Sequence, residues 1–135
     1  MKNIHKLAAI DIGSNAVRLL ITSIRINKSE TKFKKISLVR VPLRLGEDVF
    51  SKGKISDKKL KKLQKTLKAF KILMQMHEVY MFKAVATSAM REAENSTKII
   101  EDIFKKLNIK IDLISGKKEA LMLSLIHISE PTRRY

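Results

Sequence analysis

The chain has 135 residues, 44% of them hydrophobic and 31% charged, which suits one globular domain with its own core and is too short for two. No apolar run approaches the ~20 residues of a membrane span. Cysteine is absent, excluding disulfides and thiolate metal sites, and Met1–Lys6 followed by a short apolar stretch broken at Asp11 does not make a signal peptide. A cytoplasmic protein without membrane partners is the expectation. The formal charge of +16, from 29 Lys and Arg against 13 Asp and Glu, predicts attraction to polyanions. Much of this charge also suits a plain solvated surface, since Lys58, Lys59, Lys61, Lys62, Lys65, Lys68 and Lys71 crowd the polar side of one apparent helix.

In chain order, Leu7 to Ile12 predicts a buried strand ending beside an aspartate. Gly13-Ser14-Asn15 predicts a tight turn, a composition suited to positive φ and to side-chain bonds to the backbone. Ala16 to Ile26 completes a hairpin, and Phe33 to Leu45 predicts a third strand with Ile36, Leu38 and Val41 inward. A loop runs from Gly46 past Gly53. Ser56 then caps a helix carrying Leu60, Leu63, Leu67, Phe70 and Met74 at steps of three and four, to about Gln75. Val79 to Ala86 predicts a strand, Thr87 or Ser88 the cap of a short helix, and Ser96 the cap of a longer one with Ile99, Ile100, Ile103 and Leu107. Lys110 to Ile114 predicts a last strand, and Gly116 to Leu121 the start of another helix. The order βββαβαβα fits a mixed sheet with helices packed on it, an α/β fold.

Four segments carry a resemblance. They are Ala8-Ala9-Ile10-Asp11-Ile12-Gly13-Ser14-Asn15-Ala16-Val17-Arg18-Leu19, Arg44-Leu45-Gly46-Glu47 with Gly53-Lys54-Ile55-Ser56, the run from Ala86 to Asn95, and Ile114-Ser115-Gly116-Lys117-Lys118-Glu119-Ala120. In this order they resemble the exopolyphosphatase and guanosine-pentaphosphatase (Ppx/GppA) family. The resemblance implies an actin-like (ribonuclease H-like) domain and hydrolysis of a terminal phosphate from polyphosphate or a guanosine polyphosphate. It also implies magnesium, or another divalent cation, as cofactor, and a full-length parent that is a homodimer.

It implies site residues as well. Gly13, Ser14 and Asn15 match the first phosphate loop, where successive backbone N–H groups form an anion nest. Asp11 matches the metal-holding aspartate, hard oxygen being suited to magnesium; a strand-end carboxylate bonded to its own turn is the plainer alternative. Arg18 and Arg91 match phosphate-binding arginines, whose guanidinium fork fits phosphate oxygens. An exposed strand face would also explain Arg18, and an ion pair with Glu92 or Glu94 would explain Arg91. Glu119 matches the catalytic glutamate that activates water; otherwise it is an ordinary first-turn helix glutamate. The family commonly has two successive glutamates there, and this chain has Lys118 in place of the first. His5, His77 and His127 show no metal-ligand spacing and receive no role.

The resemblance stops near Met122. Leu123 to Arg133 resembles the translation of a DNA-library adapter, with a natural amphipathic helix end stopped by Pro131 as the competing reading, so the expectation is a phosphatase lobe over 1–122 followed by a non-native tail over 123–135. No second phosphate loop follows, and the 4 glycines do not cluster, so the fragment itself is expected to be inactive. A basic nucleic-acid-binding module is the first alternative, disfavoured by only 5% aromatics. An actin-like sugar or acid kinase lobe is the second, and Ser88-x-x-Arg91 with Ser115-Gly116-x-x-Glu119 favours the phosphatase over it.

Overall fold

The computed structural model describes residues 4–27 and 30–115. Five strands, β1 (Ile4–Ile12), β2 (Val17–Ile26), β3 (Thr31–Val41), β4 (Met81–Ala86) and β5 (Ile111–Leu113), form one sheet in the order β3-β2-β1-β4-β5. The first three are antiparallel neighbours, whereas β1–β4 and β4–β5 are parallel. Four helices, α1 (Leu45–Lys52), α2 (Asp57–Met76), α3 (Ser88–Glu92) and α4 (Ser96–Leu107), fill the connections. This is the expected mixed α/β sheet, with α1 as a helix the sequence did not suggest.

Period-two patterning explains the core. Ala8, Ile10 and Ile12 of β1, Val17, Leu19 and Ile21 of β2, and Ala84 and Ala86 of β4 share one sheet face. Against it lie Leu63, Leu67, Phe70 and Met74 of α2 and Ile99 and Ile103 of α4, all buried. Burying each such side chain contributes roughly 1.5–3 kcal/mol. Ser56 caps α2 as expected, its side chain accepting from the Lys59 amide at 3.3 Å.

Several local expectations fail for identifiable reasons. The stretch after Gly46 is a helix, not a loop: α1 starts from Arg44 in the left-handed region (φ 53) and ends at Gly53 (φ 79), whose N–H bonds the Val49 carbonyl at 2.8 Å. Eight residues, with Gly46 in the first turn and Gly53 just past the end, offered too little periodicity to reveal it. On β3, Ile36 and Leu38 are 38% and 40% exposed, while Val39 and Val41 pack on the core. Pairing with β2 slips between Ile21 and Thr22, jumping from Ser37 to Lys35, so Ile36 sits in a bulge. The turn after β1 uses no left-handed residue. Gly13 is needed there for space, since an added Cβ would lie 3.1 Å from the Ala16 carbonyl oxygen. Asn95, not Ser96, precedes α4, and its side chain makes no cap bond. The helix expected from Gly116 lies outside the described residues, as do Glu119 and 123–135.

Candidate active site

One register row crosses the sheet just before the strand ends: Asp11 of β1 stands opposite Arg18 of β2, which stands opposite Arg40 of β3. All three lie on the face turned away from the core, one residue out of phase with Ile10, Leu19 and Val39. Asp11 is only 4% exposed. Arg18 donates through Nη2 to Asp11 Oδ2 at 2.5 Å, while Oδ1 is buried without a hydrogen-bond partner among the described residues. An unpaired, desolvated carboxylate oxygen is costly, and it is the feature of this row that most calls for a ligand.

The turn beyond Asp11 is held from outside. Gly13 donates to the Ala16 carbonyl at 3.0 Å, and the Ser14 and Asn15 carbonyls accept from the amides of Gly46 and Arg44, each at 2.9 Å. With these carbonyls turned toward α1, the Ser14 and Asn15 amides form no backbone hydrogen bond among the described residues. Gly46 is required by closeness, because a Cβ there would stand 3.1 Å from Ser14 Cβ. Lys59 secures the α1 start, its ammonium donating to the Arg44 carbonyl at 2.6 Å and lying 3.3 Å from both Glu47 and Asp48 carboxylates. The Ser56 hydroxyl and amide, with Lys59 alongside, hold the Asp48 carboxyl down from 3.8 to about 2. The stability this contributes is complete above about pH 4 and drains as the pH falls toward 2.

The other segments singled out in the sequence meet the turn here. The Thr87 amide donates to the Ile12 carbonyl at 3.2 Å, and the hydroxyls of Ser14 and Ser88 share a 2.8 Å hydrogen bond. Asn95 bonds the Ile55 backbone twice, accepting from its amide at 3.1 Å and donating to its carbonyl at 3.0 Å. Glu94 donates to the Gly53 carbonyl at 2.9 Å. Ile114 donates to the Ala86 carbonyl at 3.0 Å, and Arg91 Nη1 donates to the Ile114 carbonyl at 2.7 Å. Segments dispersed over the sequence thus converge at the carboxyl ends of the parallel strands, the edge where open α/β sheets bind ligands.

A cleft of ≈ 370 Å³ opens at this edge, lined by Asp11, the turn 13–16, Arg18, Arg40 and Ser88. It gathers the expected Asp11, Gly13, Ser14, Asn15 and Arg18. Arg91 stands apart, one turn along α3 from Ser88, engaged with Ile114 and 3.9 Å from the Glu92 carboxylate. Arg40 and Ser88 are additions that no reading of single positions assigned to the site. Arg18 is committed to Asp11, whereas Arg40 forms no ion pair among the described residues, so it is the uncommitted cation at the cleft. Among the described residues no group of three His, Cys, Asp or Glu could hold a metal, and no helix is long and apolar enough to cross a membrane.

Mixed sheet, hairpin turn and strand-end cleft together define an actin-like α/β domain. The chain belongs to the Ppx/GppA phosphatase family, which residues 24–132 match. It is 33% identical over 122 residues to the bifunctional 3-dehydroquinate synthase/phosphatase of Fusobacterium nucleatum, covering 88% of this chain and 18% of that protein. To exopolyphosphatase 1 of Mycobacterium bovis it is 30% identical over 120 residues, covering 89% of this chain and 34% of the relative. The crystal structure of the Aquifex aeolicus Ppx/GppA family member superposes with a TM-score of 0.79 at 31% identity, covering 86% of this chain and 37% of that one. The chain therefore spans about a third or less of these relatives' lengths.

Proposed function

We propose that this chain forms the Asp11 wall of a cytoplasmic phosphohydrolase site that releases the terminal phosphate of inorganic polyphosphate or guanosine pentaphosphate. The observation that supports this best is the buried Asp11, whose Oδ1 has no hydrogen-bond partner among the described residues, beside the Ser14 and Asn15 amides, which form no backbone hydrogen bond among those residues, in a cleft also lined by Arg18 and Arg40. In this reading the turn amides and Arg40 hold phosphate oxygens, and Arg18, bonded to Asp11 Oδ2, orients its carboxylate. Arg91 contributes donors not used by Ile114.

Asp11 Oδ1 suits a magnesium ion. Hard cations take carboxylate oxygen, and magnesium commonly keeps waters and phosphate oxygens as its other ligands. When bound, the ion would neutralise charge on the phosphate oxygens. Glu119 takes a proton from water as the water oxygen bonds to the terminal phosphorus; the bridging P–O bond breaks, and the shortened chain leaves with that oxygen. Glu119 then returns the proton to solvent. Such a reaction needs preorganised charge around the whole phosphoryl group, so we assign it to a protein of the relatives' full length, with residues 1–135 alone releasing no phosphate above background.

The test uses the full-length protein with magnesium and either polyphosphate or guanosine pentaphosphate. Phosphate release is expected, and Glu119→Gln should lower turnover by about two to four orders of magnitude with substrate binding nearly intact. Near-normal turnover would remove Glu119 from this role. Failure to release phosphate from both compounds would overturn the substrate class.

A further inference from the structure

α2 and α4 meet in a groove of ≈ 260 Å³ lined by Lys61, Gln64, Lys65, Lys68, Lys106 and Leu107. Lys71 fixes the two helices, donating through Nζ to the Leu107 carbonyl at 2.6 Å. The groove belongs to the helical layer on the core side of the sheet, whereas Asp11, Arg18 and Arg40 occupy the opposite face.

A solvated helix face ordinarily interleaves acids with its lysines, at spacings of three and four. Along its 20 residues α2 carries seven lysines and one acid, Asp57, in its first turn. Lys59 and Lys71 are engaged elsewhere. Lys61, Lys65, Lys68 and Lys106 form no ion pair among the described residues, and α4's Glu101 and Asp102 are paired with none of them. Lys61 and Lys65 stand four apart and Lys65 and Lys68 three apart, the spacings at which like charges repel along a helix. The fold thus keeps an electrostatic cost on this face that a bound polyanion would relieve.

We infer that the α2–α4 groove binds a stretch of inorganic polyphosphate remote from the cleft. The choice of ligand rests on the phosphohydrolase reading above. Among the described residues no aromatic side chain lines the groove, so these residues offer no platform for stacking nucleic-acid bases. Three lysines along α2 with Lys106 across the groove on α4 match a flexible chain with charge on every unit.

Binding of labelled long-chain polyphosphate to residues 1–135 tests this across about 50 to about 300 mM salt, a range in which counterion release is measurable. The triple variant Lys61→Gln, Lys65→Gln, Lys68→Gln should bind about tenfold more weakly, and its log–log salt slope should fall by about 2 to 3. Glutamine keeps a helix propensity close to lysine's, so without ligand at low salt its Tm should rise by about 1–3 °C. A matched triple at Lys32, Lys34 and Lys52 should lose much less affinity. Equal losses in the two triples would assign the binding to net charge and overturn the site, as would an unchanged or lowered Tm. Polyuridylate binding as tightly through the same lysines would make the groove a nucleic-acid surface instead. Tripolyphosphate, short enough for the cleft alone, should respond to Arg40→Gln and not to the lysine triple. That outcome with no lysine effect on the long chain would refute the groove and leave the cleft standing.

Discussion

Two neighbouring rows of the same sheet have opposite duties. The row Val39–Leu19–Ile10–Ala84–Ile111 faces the helices and is apolar throughout. One residue along each strand, the row Arg40–Arg18–Asp11–Val85–Asp112 faces the other way and carries four charges. Both rows run across the same five strands in one unbroken ladder. Their difference teaches that a strand can be half scaffold and half site with no change of backbone, because successive side chains point to opposite faces of one continuous sheet.

That division can be broken first on the scaffold side. Leu19 is fully buried, so Leu19→Ala should cost about 3 kcal/mol of stability in chemical denaturation, through lost transfer energy and a residual cavity. A loss below about 1 kcal/mol would mean this row is not the core. Arg18→Ala sharpens the contrast from the other side. It strands a buried carboxylate and should cost about 2 kcal/mol, much of it regained when Asp11→Asn is added. Absence of that recovery would show that Arg18 stabilises by packing alone. The smallest effect belongs to Arg40→Ala, on an exposed position of an edge strand. Stability should stay within about 0.5 kcal/mol while tripolyphosphate binding weakens, and unchanged binding would remove Arg40 from the cleft's chemistry.

How much of this was legible in the sequence depended on whether the signal was local. The hairpin around Gly13 and the leucine stripe of α2 are local patterns, and both appear in the structure nearly as expected. α1 was illegible because its start depends on a left-handed Arg44 braced by the Asn15 carbonyl and by Lys59, contacts that no local window contains. The facing of β3 was misjudged because Ile36, Leu38, Val39 and Val41 support two phases, and the bulge opposite Ile21 and Thr22 decides between them. At the site, Asp11, Arg18 and the turn residues stood out for their chemistry in an apolar context. Arg40 is one arginine in a lysine-rich strand until the register sets it opposite Arg18. Ser88 stood out in the sequence as part of Ser88-x-x-Arg91, but its place in the cleft comes from its hydroxyl partner on Ser14.

The Ser14–Ser88 hydrogen bond spans 74 residues, and the Asn95 clasp on Ile55 spans 40. Chain segments that distant meet only after a large loop closes, at an entropic cost that neighbouring contacts do not bear. The β1–β2 hairpin and α2 need no such closure, so they are free to form early, whereas the clasped edge can only lock once β4 has docked beside β1. By that timing, the clasps that join the hairpin turn to α1, α3 and the Gly53–Ser56 stretch become native after the hairpin and α2, and would open before them when the domain breathes.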